Sequence, residues 1–345
     1  MEIASGLFAL RNDNPHNLFR LSLTTNHCLL STSYCLLPTA YCLLPSHLFT
    51  IFVPMNFKDR IIRATGKKTP FRLIVADLTT TMNEIGKFHN AQGFALKLLA
   101  ENSIASIFLS ASLKFPGTVS LTTRFSGEIT HIQSDSTPQG LVRAMIPQPE
   151  LQAVGGNEPA LLPQSVSVIK LNELGKRVHE SIIEAPSVSM GQNLATYLLQ
   201  SEQIRSAVGI EAAFNKEAPS KLDYAAGFYI EAFPDLEDKD INLIEVIVQN
   251  LPKFKDMNTP EGFDLDELLD QLRGPYDIDI VKEIDPKPFC PCSKERTVAT
   301  LATLKTADLE DLMKEGKDLE VVCDFCRTKY QITVNDLKTI IDERK

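Results

Sequence analysis

Two close cysteine pairs near the C-terminus, Cys290-Pro-Cys292 and Cys323-Asp-Phe-Cys326, constrain this chain more than any other feature; thirty residues separate them. Zinc takes four tetrahedral ligands with thiolate sulfurs at about 2.3 Å, and two short-spaced pairs from separate segments supply those corners on tight turns. No histidine follows His179, so a metal site here is all-cysteine: Cys290, Cys292, Cys323 and Cys326, holding one Zn2+. The second pair falls between strand-like stretches at 319–322 and 329–333 and is expected at a hairpin turn. Between the pairs, 293–304 and 306–314 are expected as helices, with Thr306 as N-cap and Gly316 as stop.

Four thiolates close the zinc shell, leaving no open position for a hydrolytic water. A thioredoxin-like use of Cys323 and Cys326 wants a helix N-terminus after the first cysteine, whereas strands flank this pair. A nucleic-acid-binding zinc ribbon wants a basic stripe. Residues 287–345 are nearly balanced in charge, with only Arg327 and Lys329 as a small patch, and the whole chain carries −9, so neither nucleic acid nor an anionic membrane is an expected partner. Two readings of the site stay open on spacing alone. One is a permanent structural staple. The other is a switch, in which an oxidant takes a thiolate to sulfenic acid and a neighbouring thiol closes a bridge. Fewer than sixty residues give this region too little core to stand alone. Zinc binding worth about 10–16 kcal/mol is then effectively its folding energy.

The remaining cysteines, Cys28, Cys35 and Cys42, sit in a different context. Tyr34-Cys35-Leu36-Leu37-Pro38 recurs seven residues later as Tyr41-Cys42-Leu43-Leu44-Pro45, and a degenerate copy starts at His27. The prolines break any heptad helix. Residues 1–54 are expected to be a poorly ordered leader, translated from upstream repeat DNA, with Met55 as the true start. Two clustered groups of thiols do not make a disulfide framework, and a reduced, cytoplasmic compartment fits better. No uninterrupted apolar stretch reaches the ~20 residues of a membrane helix.

From 55 to 233 an α+β core is expected. Strands are expected at 71–76, 118–124, 129–133, 141–146, 165–171 and 225–232, and helices at 92–113 and 192–203. Their irregular order favours α+β over a doubly wound sheet. From 234 to 286 acids outnumber bases, prolines recur, and two amphipathic helical pieces stand at 241–251 and 265–272. This reads as an acidic linker with marginal helices. Residues 287–345 form the small four-cysteine domain. No catalytic constellation appears, and the chain is not expected to be an enzyme. Gly66-Lys67-Lys68-Thr69 lacks the glycine a phosphate loop needs five places earlier, where Ile61 stands. His89, His131 and His179 are isolated, and Asp264, Asp266 and Glu267 read as a solvated helix face.

The segment Cys290-Pro-Cys292-Ser-Lys-Glu-Arg296, followed by Cys323-Asp-Phe-Cys326-Arg-Thr-Lys-Tyr330, resembles the redox-regulated 33-kDa heat-shock chaperone (33 kDa chaperonin) family. Tyr197-Leu-Leu-Gln-Ser-Glu-Gln203 resembles its core helix motif, and Ile62-Arg63-Ala64 with Val75-Ala76-Asp77 its N-terminal strands. The resemblance spans about 55–341. The chain departs from it at Ile204-Arg205, where a proline is usual, and in the shortened turn Ser126-Gly127-Glu128. The resemblance implies an ATP-independent holdase for unfolded client proteins, inactive while reduced and zinc-bound. It implies that oxidation forms Cys290–Cys292 and Cys323–Cys326 disulfides, releases zinc and unfolds the linker. It further implies that oxidised molecules dimerise and that apolar linker positions, among them Leu243, Ile244, Ile247 and Leu251, become available to clients. The alternative is a binding protein with a permanent structural zinc ribbon, with nucleic acid as its candidate partner.

Overall fold

An unbroken apolar run marks a strand covered on both faces, and the run at 71–76 is such a strand. In the computed structural model, which describes residues 58–126, 129–149, 162–314 and 316–344, it is β2 (Phe71–Asp77). Its neighbours are β1 (Arg60–Gly66) and β9 (Leu222–Ala232), with β8 (Ser206–Phe214) and β12 (Ile278–Ile284) outermost, giving the order β12-β1-β2-β9-β8. The leader at 1–54 lies outside the described residues, as do Gly127 and Glu128 of the shortened turn.

A second sheet comprises β3 (Gly117–Ser126), β4 (His131–Ser136), β5 (Leu141–Met145), β6 (Leu162–Asn172), β7 (Arg177–Glu184) and the two-residue β13 (Lys287–Pro288). Its order is β13-β5-β4-β3-β6-β7. Three helices, α1 (Thr79–His89), α2 (Gly93–Ala111) and α3 (Met190–Glu202), complete the core. Helix α2 packs on β3 and β4 on one side and on β8 and β9 on the other. It is therefore apolar around nearly its whole circumference, as a core helix must be. Among the described residues it is the one helix long and apolar enough to cross a membrane, and 89% of its most apolar window is buried in the protein. Its buried polar groups are satisfied internally: Asn102 Nδ2 donates to Ser134 Oγ (2.8 Å) and accepts at Oδ1 from Thr123 Oγ1 (2.7 Å).

Helix α1 begins without a side-chain cap from its own N-cap, Leu78. Two carboxylates from the flanking strand ends take that role. Asp59 accepts from the backbone N–H groups of Thr80 (2.8 Å) and Thr81 (2.6 Å), and Asp77 accepts from Thr79 N (3.0 Å) and Thr79 Oγ1 (2.6 Å). At the other end of the core, Tyr197 donates to Glu202 (2.8 Å), which also pairs with Lys170 (2.6 Å). The motif at 197–203 thus fastens the C-terminus of α3 to β6.

The outer face of the first sheet is covered by the 234–286 segment. The helices expected at 241–251 and 265–272 are α4 (Asp238–Gln249) and α5 (Leu265–Arg273), separated by a turn at Phe254–Asp256 and a tiny hairpin, β10 (Asn258–Thr259) and β11 (Gly262–Phe263). Ile244, Val248, Phe254, Phe263, Leu268 and Leu272 share one buried cluster with Ile62, Leu73, Val75, Tyr224 and Phe228 of the sheet. The marginal helices are held by a core to which the sheet supplies half. Strand β12 was not expected, because its exposed charged positions look like spacer. It pairs antiparallel with β1, Ile61 opposite Ile284.

The C-terminal region contains α6 (Lys294–Leu301), α7 (Thr306–Lys314), the hairpin β14 (Leu319–Val322) and β15 (Lys329–Ile332), and α8 (Val334–Asp342). Thr333 and Asp336 form a capping box at the start of α8. Its buried cluster among the described residues is only Leu309, Ile332, Leu337, Ile340 and Ile341. The whole is α+β, with a small four-cysteine unit near the C-terminus.

Candidate metal centre

The β14–β15 hairpin sets the second cysteine pair. Cys323 N donates to Thr328 O (2.9 Å) and Arg327 N to Cys323 O (2.9 Å), closing a knuckle. Arg327 takes a left-handed φ of 57° there. The first pair precedes α6, whose N-cap Ser293 accepts from Arg296 N (3.2 Å), while Arg296 Nη1 donates back to Pro291 O (3.0 Å). Lys294 pairs with Asp336 (2.8 Å), joining the two segments.

These constraints bring the four sulfurs together. Cys290 Sγ lies 3.7 Å from Cys323 Sγ, and Cys292 Sγ 3.2 Å from Cys326 Sγ. All four lie within 4.8 Å of one another. A tetrahedron with about 2.3 Å bonds puts its sulfurs about 3.8 Å apart, so the arrangement fits a four-thiolate metal site. Partial burial pushes the Cys290 thiol up to about 12 and raises Cys292 as well. At Cys326 burial is outweighed by hydrogen bonds from the Thr328 hydroxyl and backbone and by the adjacent sulfurs, which bring it down to about 7. Cys290 and Cys292, which resist ionising alone, would become thiolates when a divalent cation supplies the charge.

Three of the four sulfurs carry a polar neighbour from outside the cluster. Tyr330 Oη donates to Cys292 Sγ (3.1 Å), the Thr328 hydroxyl lies 3.2 Å from Cys326 Sγ, and Arg143 Nη1 lies 3.8 Å from Cys290 Sγ. Arg143 comes from β5 of the core and is held by Asp135 (2.7 Å). Its guanidinium stacks 4.0 Å from the centre of the Phe325 ring, inside the second cysteine pair. His89 Nε2 lies 2.9 Å from both Ala144 O and Phe325 O, so it carries the proton and donates to the core and to the knuckle. Neither Arg143 nor His89 was picked out by sequence reasoning as belonging here. An isolated histidine and an arginine on a strand carry no local signal, and their roles exist only across 236 residues of chain for His89 and 147 for Arg143.

Of the linker positions expected to serve clients, Leu243 is exposed, Ile244 is buried, and Ile247 and Leu251 are half-buried against the sheet-covering cluster. Asp264 is the N-cap of α5, accepting from Glu267 N (2.9 Å), and Asp266 pairs with Arg60 (2.6 Å).

Core and cysteine cluster together define an α+β protein with a small C-terminal unit whose four cysteines could hold a metal ion. A family model described as Hsp33 protein matches residues 59–333. The chain belongs to the Hsp33 family. It is 30% identical to the 33 kDa chaperonin of Desulfotalea psychrophila, with 83% of this chain and 97% of that protein covered. It is 27% identical to the 33 kDa chaperonin of Streptococcus suis, with 82% and 99% covered. The crystal structure of the 33 kDa chaperonin from Thermotoga maritima shares the fold, with a TM-score of 0.71, 23% identity, and coverage of 83% of this chain and 98% of that one.

Proposed function

We propose that the protein is a redox-regulated, ATP-independent holdase, not an enzyme, acting on unfolded client proteins in the cytoplasm. The observation that carries this reading is the convergence of Cys290, Cys292, Cys323 and Cys326 on one point in a chain of this family. In the reduced state the four thiolates hold one Zn2+, which supplies the folding energy that the small C-terminal cluster lacks. Peroxide takes a thiolate to sulfenic acid, and the neighbouring thiol displaces water to form a disulfide; two such steps give Cys290–Cys292 and Cys323–Cys326. Four ligands are then lost, and the region from 287 onward loses its fold.

The buried cluster between the 234–286 segment and the first sheet supports the next step. Once the C-terminal region unfolds, β12 loses its continuation and α4 and α5 detach. The apolar face around Leu73, Val75 and Phe228 then becomes available to clients, together with Ile244, Ile247 and Leu251, extending the already exposed Leu243. Oxidised molecules pair as homodimers. The test is light scattering from a heat-denatured model client, with reduced and with peroxide-treated protein. Suppression by the oxidised, zinc-free form alone is expected; equal behaviour of the two forms removes the reading.

A further inference from the structure

In a parallel pair evenly spaced carbonyls of one strand accept from alternate N–H groups of the next. The outer edge of β5 presents three such carbonyls in step. Gly140 O accepts from Lys287 N (3.0 Å) and Val142 O from Phe289 N (2.9 Å). The third, Ala144 O, accepts from His89. Gly140 has a φ of +79°, and a Cβ there would come within 2.6 Å of Ile284 Cγ2, so the turn that aims the first carbonyl depends on glycine. Beside this edge lies a cavity of about 300 Å3 between the core and the cysteine cluster, lined by Ile85, Phe88, Val142 and Arg143 on one side and by Cys290, Cys292 and Cys326 on the other. Phe325 also lines it, with its ring on Arg143 and its carbonyl on His89.

Two segments of the C-terminal region thus occupy one place on the core: an extended strand on the β5 carbonyls and an aromatic ring on a buried-side guanidinium. That is how an edge strand takes a peptide, main chain to main chain with a side chain in an adjoining slot. We propose that the β5 edge is a binding site for an extended, aromatic-containing segment of an unfolded client, and that 287–289 and Phe325 fill it as a built-in imitation of that client while the metal site is intact. The proposal rests on the reading that oxidation unfolds the C-terminal region. It adds a second client site, on the sheet opposite the one that the linker covers. It also names the chemistry selected: free backbone amides for the carbonyl ladder and a phenyl or phenol ring for Arg143.

The probe is a short, dye-labelled, unstructured peptide with one central phenylalanine, followed by anisotropy against the full chain. The oxidised protein should bind it and the reduced protein should not. Changing the phenylalanine to serine should weaken binding at least about fivefold, as loss of a cation–π contact and its burial requires. N-methylation of alternate peptide amides should weaken it comparably. Arg143→Gln should abolish the preference for phenylalanine. Because Arg143→Gln also disturbs Asp135, a second readout uses a photo-crosslinking benzoylphenylalanine in place of Phe88. It should capture the peptide in the oxidised protein and the 323–328 loop in the reduced one. Binding that ignores the serine and N-methyl changes, with no capture at Phe88, overturns the site. Client aggregation run in parallel separates the two claims. Oxidised protein that keeps a client in solution yet fails every peptide test sinks the β5 edge alone, and protein that suppresses no aggregation sinks the holdase reading.

Discussion

The phenol of Tyr330 donates its proton to the sulfur of Cys292 across 3.1 Å, from the strand that leaves the opposite cysteine pair. That bond holds the tyrosine up at about 12 and offsets negative charge on the thiolate. Groups that hydrogen-bond metal ligands commonly govern affinity by about 10–100-fold. Tyr330→Phe is expected to weaken metal retention by about tenfold and to quicken peroxide attack on Cys292. Chelator competition and mass spectrometry of alkylated thiols measure the two effects; unchanged retention and rate would show the phenol to be a bystander.

Removing the metal from the reduced protein should unfold the C-terminal region while leaving the core intact. Its buried cluster is limited to Leu309, Ile332, Leu337, Ile340 and Ile341, too small to offset the chain entropy of ordering it. Limited proteolysis after chelation should cut between 293 and 344 and spare 58–126. Equal resistance before and after chelation contradicts this.

Leu268 is fully buried between α5 and the first sheet. Leu268→Ala removes packing worth about 2–5 kcal/mol and should loosen the 234–286 segment without touching a cysteine. The variant is expected to suppress client aggregation at lower peroxide doses than the parent chain. A dose response superimposable on the parent's argues that α5 does not gate activity.

Asp77 is 3% exposed, and burial, then the nearby Asp59 carboxylate, raises it from 3.8 to about 7. The folded protein therefore holds this proton more tightly than the unfolded chain does. Its contribution to stability is full below about 3.8 and is lost as pH rises through about 7. Asp77→Asn keeps an acceptor for Thr79 and removes the titration. It should be more stable than the parent above neutral pH, by on the order of a few kcal/mol, with the difference vanishing in acid. Calorimetric melting of the core across this range reads it directly.

What could be read from residues alone follows their chemistry. The cysteine pairs were legible because four like ligands at short spacing admit few explanations. The strand at 71–76 and the helix at 92–113 were legible because long apolar patterns survive without knowing their partners. Strand β7 was hidden by its irregularly spaced charges, Arg177, Glu180 and Glu184, on an exposed edge. Helix α1 was hidden because its capping carboxylates, Asp59 and Asp77, stand outside its own sequence. Strand β12 was hidden because Ile280 and Val281 stay exposed beside acids and a lysine. The part of the site supplied by Arg143 and His89 was beyond any local pattern.

Residues 278–288 run out of one sheet as β12 and into the other as β13, with Thr81 Oγ1 donating to Pro286 O (3.3 Å) at the crossing. One short ribbon therefore hems both halves of the core, and its free end is tied two residues later at Cys290. A tug at that knot is felt along two seams at once. Amide exchange should accordingly quicken together around Ile61 and around Leu141, rather than spreading gradually from the tail.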